Sequence, residues 1–119
     1  MPSDVPRERL GDIITNIDRV RAHLATVIPD AELDDKTRDA VERCLERISE
    51  AAKKLGPAME ARQPQVSWRG IRGLGNVLRH EYDAVDDSTI ARIVEHELES
   101  LRQACLRERA AIGGDESAT

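Results

Sequence analysis

A chain of 119 residues and 13.3 kDa supports one domain, because two separate cores would each bury too little surface to offset the entropy of the ordered chain. Apolar residues make up 39% of the chain but aromatic residues only 2%, with no Phe, so the core must be built from Leu, Ile, Val and Ala, which favours helices. The net charge of −5 excludes a uniformly basic nucleic-acid-binding protein, so any contact with a nucleic acid must be local.

Membrane and redox signals in the sequence are weak. No apolar run approaches the roughly 18 residues that a membrane-spanning helix needs, and the N-terminus lacks the apolar stretch of a signal peptide. We therefore expect a cytoplasmic protein. Cys44 and Cys105 occupy apolar positions of separate predicted helices, without C-x-x-C spacing, and are interpreted as reduced packing residues.

Two long helices are predicted in the first half of the chain. The first runs from about Pro6 to Val27, where apolar residues recur at three- and four-residue steps. Asp34 or Asp35 is placed to cap the second helix, which ends at the Gly-Pro pair 56–57. Its expected apolar face consists of Val41, Cys44, Leu45, Ile48, Ala52 and Leu55.

The apolar periodicity is lost in the middle of the chain. Residues 58–66 show no convincing period and predict an irregular or briefly helical connection. Ser67 is the expected N-cap of a helix over residues 68–80, and residues 83–87 read as a turn.

The last predicted helix is capped by Asp87 or Ser88 and fades near Ile112. The small polar residues 113–119 are expected to form a flexible tail. The sequence thus predicts one all-α domain over residues 1–112, an up-and-down bundle of four to five helices.

One segment of the chain is locally basic. Residues 61–80 contain four arginines and no Asp or Glu, so removing their charges from the net charge of −5 leaves −9 for the other 99 residues. A positive island in an acidic protein is a candidate phosphate-binding surface, although a solvated basic helix face would look the same.

Helical geometry separates this segment into two faces. At 100° per residue from Arg69, the residues Arg72, Asn76 and His80 fall at about 300°, 340° and 20°. An apolar stripe falls on the opposite face, between about 140° and 200°, and consists of Ile71, Leu74 and Leu78. His80 is therefore not a core histidine of this helix and must face solvent, a partner subunit or a ligand.

Three glycines, Gly70, Gly73 and Gly75, lie inside this predicted helix, each at a cost of up to about 1 kcal/mol relative to Ala. Close approach of another backbone would compensate for that cost. A second copy of the same helix across a two-fold axis and an ordinary contact within the chain both satisfy this requirement.

The stretch VSWRGIRGLGNVLRHEYDAVD at residues 66–86 closely resembles the signature region of HepT-like proteins in the HEPN superfamily. The upstream ISEAAKKL at residues 48–55 is similar to the second helix of the same family. The resemblance covers roughly residues 8–106, and the Trp-Arg start and the His-x-Tyr end are its most specific parts.

This resemblance implies a helical homodimer that acts on RNA without a metal or cofactor, typically the toxin of a toxin–antitoxin pair. The implied antitoxin is a small MntA-like nucleotidyltransferase. The family motif is Arg, four residues, His, one residue, Tyr, with a polar residue directly after the Arg; Asn76, His80 and Tyr82 match it. In the family the His takes part in proton transfer at the RNA 2′-hydroxyl, the Arg stabilises charge on the phosphate, and the Tyr receives the nucleotidyl group.

Gly75 occupies the position of the motif arginine. Arg72 shares the stripe of Asn76, and Arg79 lies nearby at about 280°, so either could supply the missing guanidinium. The same two arginines and Arg69 are the expected RNA-binding residues.

Three functions remain open on this basis. The first is a toxin ribonuclease with His80, Arg72, Asn76 and Arg79 as its catalytic residues. The second is a non-catalytic HEPN module that binds a nucleotidyltransferase and is modified by it on Tyr82. The third is a purely structural helical dimer.

Overall fold

The computed structural model describes residues 4–25, 27, 32–80 and 87–117, with side chains except those of residues 4, 79, 80 and 113–117, and these residues form six helices. α2 packs against both α1 and α4, α1 also packs against α6, and α5 packs against α6. The predicted all-α bundle is confirmed. The helices are α1 (Asp4–Leu24), α2 (Asp35–Lys53), α3 (Pro57–Arg62), α4 (Trp68–His80), α5 (Asp87–His96) and α6 (Leu98–Ser117).

The core is aliphatic, as the composition predicts. Each fully buried Leu or Ile side chain stabilises the fold by about 1.5–3 kcal/mol relative to an exposed one. Trp68 adds the largest ring to this core and donates from Nε1 to the carbonyl of Gln63 at 2.9 Å. The largest of the completely buried side chains are Leu10, Ile13, Ile17, Leu45, Ile48, Ile71, Ile90, Leu98 and Leu101.

The start of α2 follows the predicted cap. Asp34 has an extended backbone, and its carboxylate accepts a hydrogen bond from the amide of Thr37 at 2.6 Å. This hydrogen bond lowers the pKa of Asp34. After α2, Gly56 adopts a positive φ of 92° at the N-cap of α3, and Pro57 fills the first turn of that helix. The connection predicted as irregular or briefly helical therefore contains a short helix.

Two helix ends differ from the prediction. The last predicted helix is divided at Glu97, although the bonds from Glu97 N to Ile93 O (2.9 Å) and from Leu101 N to Glu97 O (3.3 Å) bridge the division. α6 continues to Ser117, beyond the predicted helix end near Ile112. The two glycines at 113–114 lower helix propensity, but no proline removes a backbone donor there. α1, in contrast, ends at Leu24, before the predicted limit.

Both cysteines are free and buried, as predicted. Burial raises the pKa of the Cys44 thiol, and it raises the pKa of the Cys105 thiol to about 12. Both therefore stay protonated and act as packing residues. None of the helices in the described ranges is long and apolar enough to cross a membrane.

Candidate functional site on α4

α4 has one buried and one exposed face, as the angular analysis predicts. Ile71, Leu74 and Leu78 are 2%, 7% and 4% exposed and belong to the core. Asn76 and Arg69 lie on the exposed side. Burial of the apolar stripe against α2 thus turns the polar stripe away from the core.

The end of α4 carries the motif histidine. The helix is continuous from Trp68 to His80, so the regular spacing assumed in the angular analysis holds for the backbone. His80 is its last residue, one turn after the exposed Asn76. The side chains of Arg79 and His80 and the whole of Tyr82 lie outside the described residues.

Arg72 is paired with an acid that the sequence analysis did not consider. Its Nη1 contacts Oε1 of Glu60 on α3, and the two side chains are 38% and 18% exposed. Glu60 directly precedes the basic segment, and the fold brings its carboxylate onto the predicted catalytic stripe at Arg72. A phosphate bound by Arg72 would have to compete with Glu60 or replace it.

Arg62 also forms an ion pair. It donates from Nε (3.1 Å) and Nη2 (2.8 Å) to Oε1 of Glu108 on α6, whose other oxygen accepts from Gln63 at 2.7 Å. The hydrogen bond from Arg62, followed by that from Gln63, lowers the pKa of Glu108 against the effect of burial. Arg62 thus ties α3 to α6, and of the basic island only Arg69 is exposed without an ion-pair partner among the described residues.

Ser49 of α2 holds the middle of α4. This side chain is fully buried; its hydroxyl donates to the carbonyl of Arg72 at 2.8 Å and accepts from the amide of Gly75 at 3.1 Å. The α2 side chain thus reaches the α4 backbone at Arg72 and Gly75. For Gly75, therefore, the contact within the chain is observed, and it fixes the turn between Arg72 and Asn76.

The other two glycines of α4 have no such neighbour. A Cβ built on Gly73 would meet no atom within 4 Å, and one on Gly70 would meet only Ser67 Cβ, at 4.0 Å. Val77, on the same helix, is 37% exposed. No close contact in the described part of the protomer accounts for these two glycines.

The first residue of α5 makes two contacts with other parts of the chain. Asp87, the first residue of α5, accepts from the amide of Leu33 at 2.8 Å and pairs with Arg38 of α2. Both ends of the segment 81–86, which contains Tyr82, are thus attached to helices that pack on the core. Among the described residues, no group of three His, Cys, Asp or Glu side chains comes together as a metal site would need.

Comparison with known proteins places this geometry in context. The family model described as Ribonuclease HepT-like matches residues 13–107. The protein named "Putative RNase MJ0127" of Methanocaldococcus jannaschii is 36% identical over 95 residues, which cover 79% of this chain and 78% of that protein. "Probable ribonuclease HepT" of Thermococcus cleftensis is 29% identical over 97 residues, covering 81% of this chain and 88% of its own. No solved structure matches the chain significantly.

Proposed function

The chain belongs to the HepT-like ribonuclease family, and from this premise we propose that it is a metal-independent endoribonuclease, the toxin of a cytoplasmic toxin–antitoxin pair. The names of its relatives and the position of the motif support a ribonuclease-type function. We further propose that the protein acts as a homodimer and that a nucleotidyltransferase antitoxin silences it by modifying Tyr82.

The observation that carries the proposal is the orientation of α4. Its apolar stripe is buried, Asn76 is exposed, and the helix continues without interruption to His80. In the proposed reaction His80 accepts the proton of an RNA 2′-hydroxyl, and the 2′-oxygen attacks the adjacent phosphorus. The bond to the 5′-oxygen breaks, that oxygen takes up a proton, and a 2′,3′-cyclic phosphate remains.

The negative charge that builds on the attacked phosphate needs a cation, and we assign this role to Arg72. Within one protomer Arg72 lies eight residues before His80, about 12 Å along the axis, and helical side chains lean toward the N-terminus. We therefore propose that Arg72 acts on the phosphate held at His80 of the partner subunit. Binding of the phosphate would replace the ion pair with Glu60.

Cleavage of RNA by the purified protein in the presence of a chelator is the direct test. We expect internal cleavage that His80→Ala abolishes while the circular dichroism spectrum stays unchanged. Expression of the unmodified protein without its partner should slow growth, and His80→Ala should relieve this effect. Equal cleavage by a folded His80→Ala protein would refute the role of His80.

A second experiment separates Arg72 from the other arginines. Arg72→Ala should lower turnover by about a hundredfold or more, with a much smaller loss of binding, since one preorganised charge donor is removed. Arg69→Ala and Arg79→Ala are matched controls with modest effects. Glu60→Gln should retain cleavage and tighten RNA binding, because it removes the competing carboxylate. Equal effects of the three arginine variants would rule out a single relocated arginine.

Mixing two inactive variants tests whether Arg72 acts across the dimer. A heterodimer of Arg72→Ala and His80→Ala protomers contains one complete site if the two groups come from different subunits, and none if they come from the same one. We expect activity to reappear on mixing. A mixture as inactive as its components would place Arg72 and His80 in the same half-site.

One observation favours a second function. The motif arginine is replaced by Gly75, and Arg72 is engaged by Glu60, so neither position offers a free guanidinium for catalysis. In that case the protein is a non-catalytic HEPN module that serves as the substrate of its nucleotidyltransferase. Absence of cleavage by the unmutated protein, together with nucleotidyl transfer that Tyr82→Phe abolishes, would establish this alternative.

A further inference from the structure

An open groove of about 710 Å³ runs between α1 and α2, away from the residues assigned to catalysis. The two helices are antiparallel, so residues near the start of α1 face residues near the end of α2. Five cations line the groove from both walls, together with three carboxylates. The cations are Arg9, Arg19, Arg43, Arg47 and Lys54, and the carboxylates are those of Asp12, Glu46 and Glu50.

The cations of the groove are not all neutralised. Arg9 lies 3.9 Å from Asp12, and Arg43 lies 3.7 Å from Glu46, both as weak pairs within one helix. Arg19, on α1, and two further cations are exposed and have no ion-pair partner in the part of the chain that the structure describes. These two are Arg47 on α2 and Lys54, which caps the end of that helix.

A buried amide of the groove has an unused acceptor. Asn16 is only 5% exposed, and its Nδ2 donates to the carbonyl of Asp12 at 2.8 Å. Its Oδ1 has no hydrogen-bond partner among the described residues. Since this oxygen is closed to solvent, the groups of the groove that can accept a hydrogen bond from a ligand are the three carboxylates.

We propose that this groove binds the sugar-phosphate backbone of single-stranded RNA, as a second binding surface for the substrate of the proposed ribonuclease on which this inference rests. The cations of α1 lie ten residues apart, about 15 Å along the axis, which suits a run of phosphates better than a single one. The 2′-hydroxyls between successive phosphates are donors that the carboxylates of the groove can accept.

The same chemistry disfavours an acidic protein as the occupant. Ionised carboxylate side chains accept hydrogen bonds and offer no donor to the three carboxylates of the groove. α2 lies between the groove and α4, since Glu50 lines the groove and the preceding Ser49 bonds the backbone of α4.

Binding of a fluorescein-labelled 12-nucleotide RNA, followed by anisotropy over a series of NaCl concentrations, tests the inference. The His80→Ala protein keeps the probe intact, and Arg19→Gln/Arg47→Gln is added to it. The control is Lys36→Gln/Arg109→Gln, which removes the same charge at two exposed positions outside the groove. We expect Arg19→Gln/Arg47→Gln to weaken RNA binding roughly tenfold at low salt. The slope of log affinity against log salt concentration should fall in magnitude by about 1.4, or 0.7 per phosphate contact.

Equal effects of Arg19→Gln/Arg47→Gln and of Lys36→Gln/Arg109→Gln on RNA binding would overturn the inference. The inference would also fail if Arg19→Gln/Arg47→Gln lost binding of poly-glutamate but kept binding of RNA, because the groove would then serve an acidic protein. A DNA of the same sequence, which lacks the 2′-hydroxyls, should bind more weakly than the RNA, and equal binding of the two would refute the sugar contact. Cleavage assays separate the two proposals. If RNA binding depends on the groove but the unmutated protein does not cleave, only the ribonuclease proposal is refuted. If the unmutated protein cleaves and RNA binding does not depend on the groove, only the groove proposal is refuted.

Discussion

Replacing Gly73 with alanine tests whether α4 meets a second copy. Gly73 lies inside α4, and an added Cβ would meet no atom of the described protomer within 4 Å. In an isolated chain the change should therefore stabilise the helix by up to about 1 kcal/mol. With 119 residues and an unfolding entropy of about 2.1 cal/mol/K per residue, this gain corresponds to a rise in Tm of about 4 °C.

Gly11→Ala is the matched control, because Gly11 lies inside α1 and its added Cβ also meets nothing within 4 Å. If a second α4 packs on Gly73, the extra methyl group crowds the interface at a cost of about 1–3 kcal/mol. The dimer dissociation constant should then rise by about 5- to 150-fold in sedimentation equilibrium, and only Gly11→Ala should raise the Tm. A similar Tm gain for both variants with an unchanged dissociation constant would refute the proposed interface.

Two further predictions concern the bonds that hold α3 and α4. Ser49→Ala should lower the free energy of unfolding by about 1–2 kcal/mol in urea titrations, because two buried hydrogen bonds to α4 are lost, whereas Ser100→Ala, with one contact at 3.5 Å, should cost little. Glu108 has a pKa below its ordinary value of 4.5, so it contributes stability that is present at neutral pH and lost as the pH falls through the lowered pKa. Glu108→Gln should therefore flatten the fall in Tm between about pH 5 and pH 3, and an unchanged pH profile would contradict this reading.

The sequence alone determined the features that depend on neighbouring residues. A cap at Asp34 or Asp35, the range of α4 and the burial of its apolar stripe follow from turn chemistry and from helical periodicity, which act within a few residues. The end of α6 was missed for the same reason, since glycines lower local helix propensity without preventing a helix.

Only the tertiary structure decided which charges are available. Glu60 and Glu108 lie outside the basic segment, yet the fold places them on Arg72 and Arg62. Likewise, the hydroxyl of Ser49 reaches the α4 backbone only because α2 packs on that helix. Pairing between distant residues depends on how helices pack, and the local pattern of a sequence carries no information about which distant carboxylate will meet an arginine.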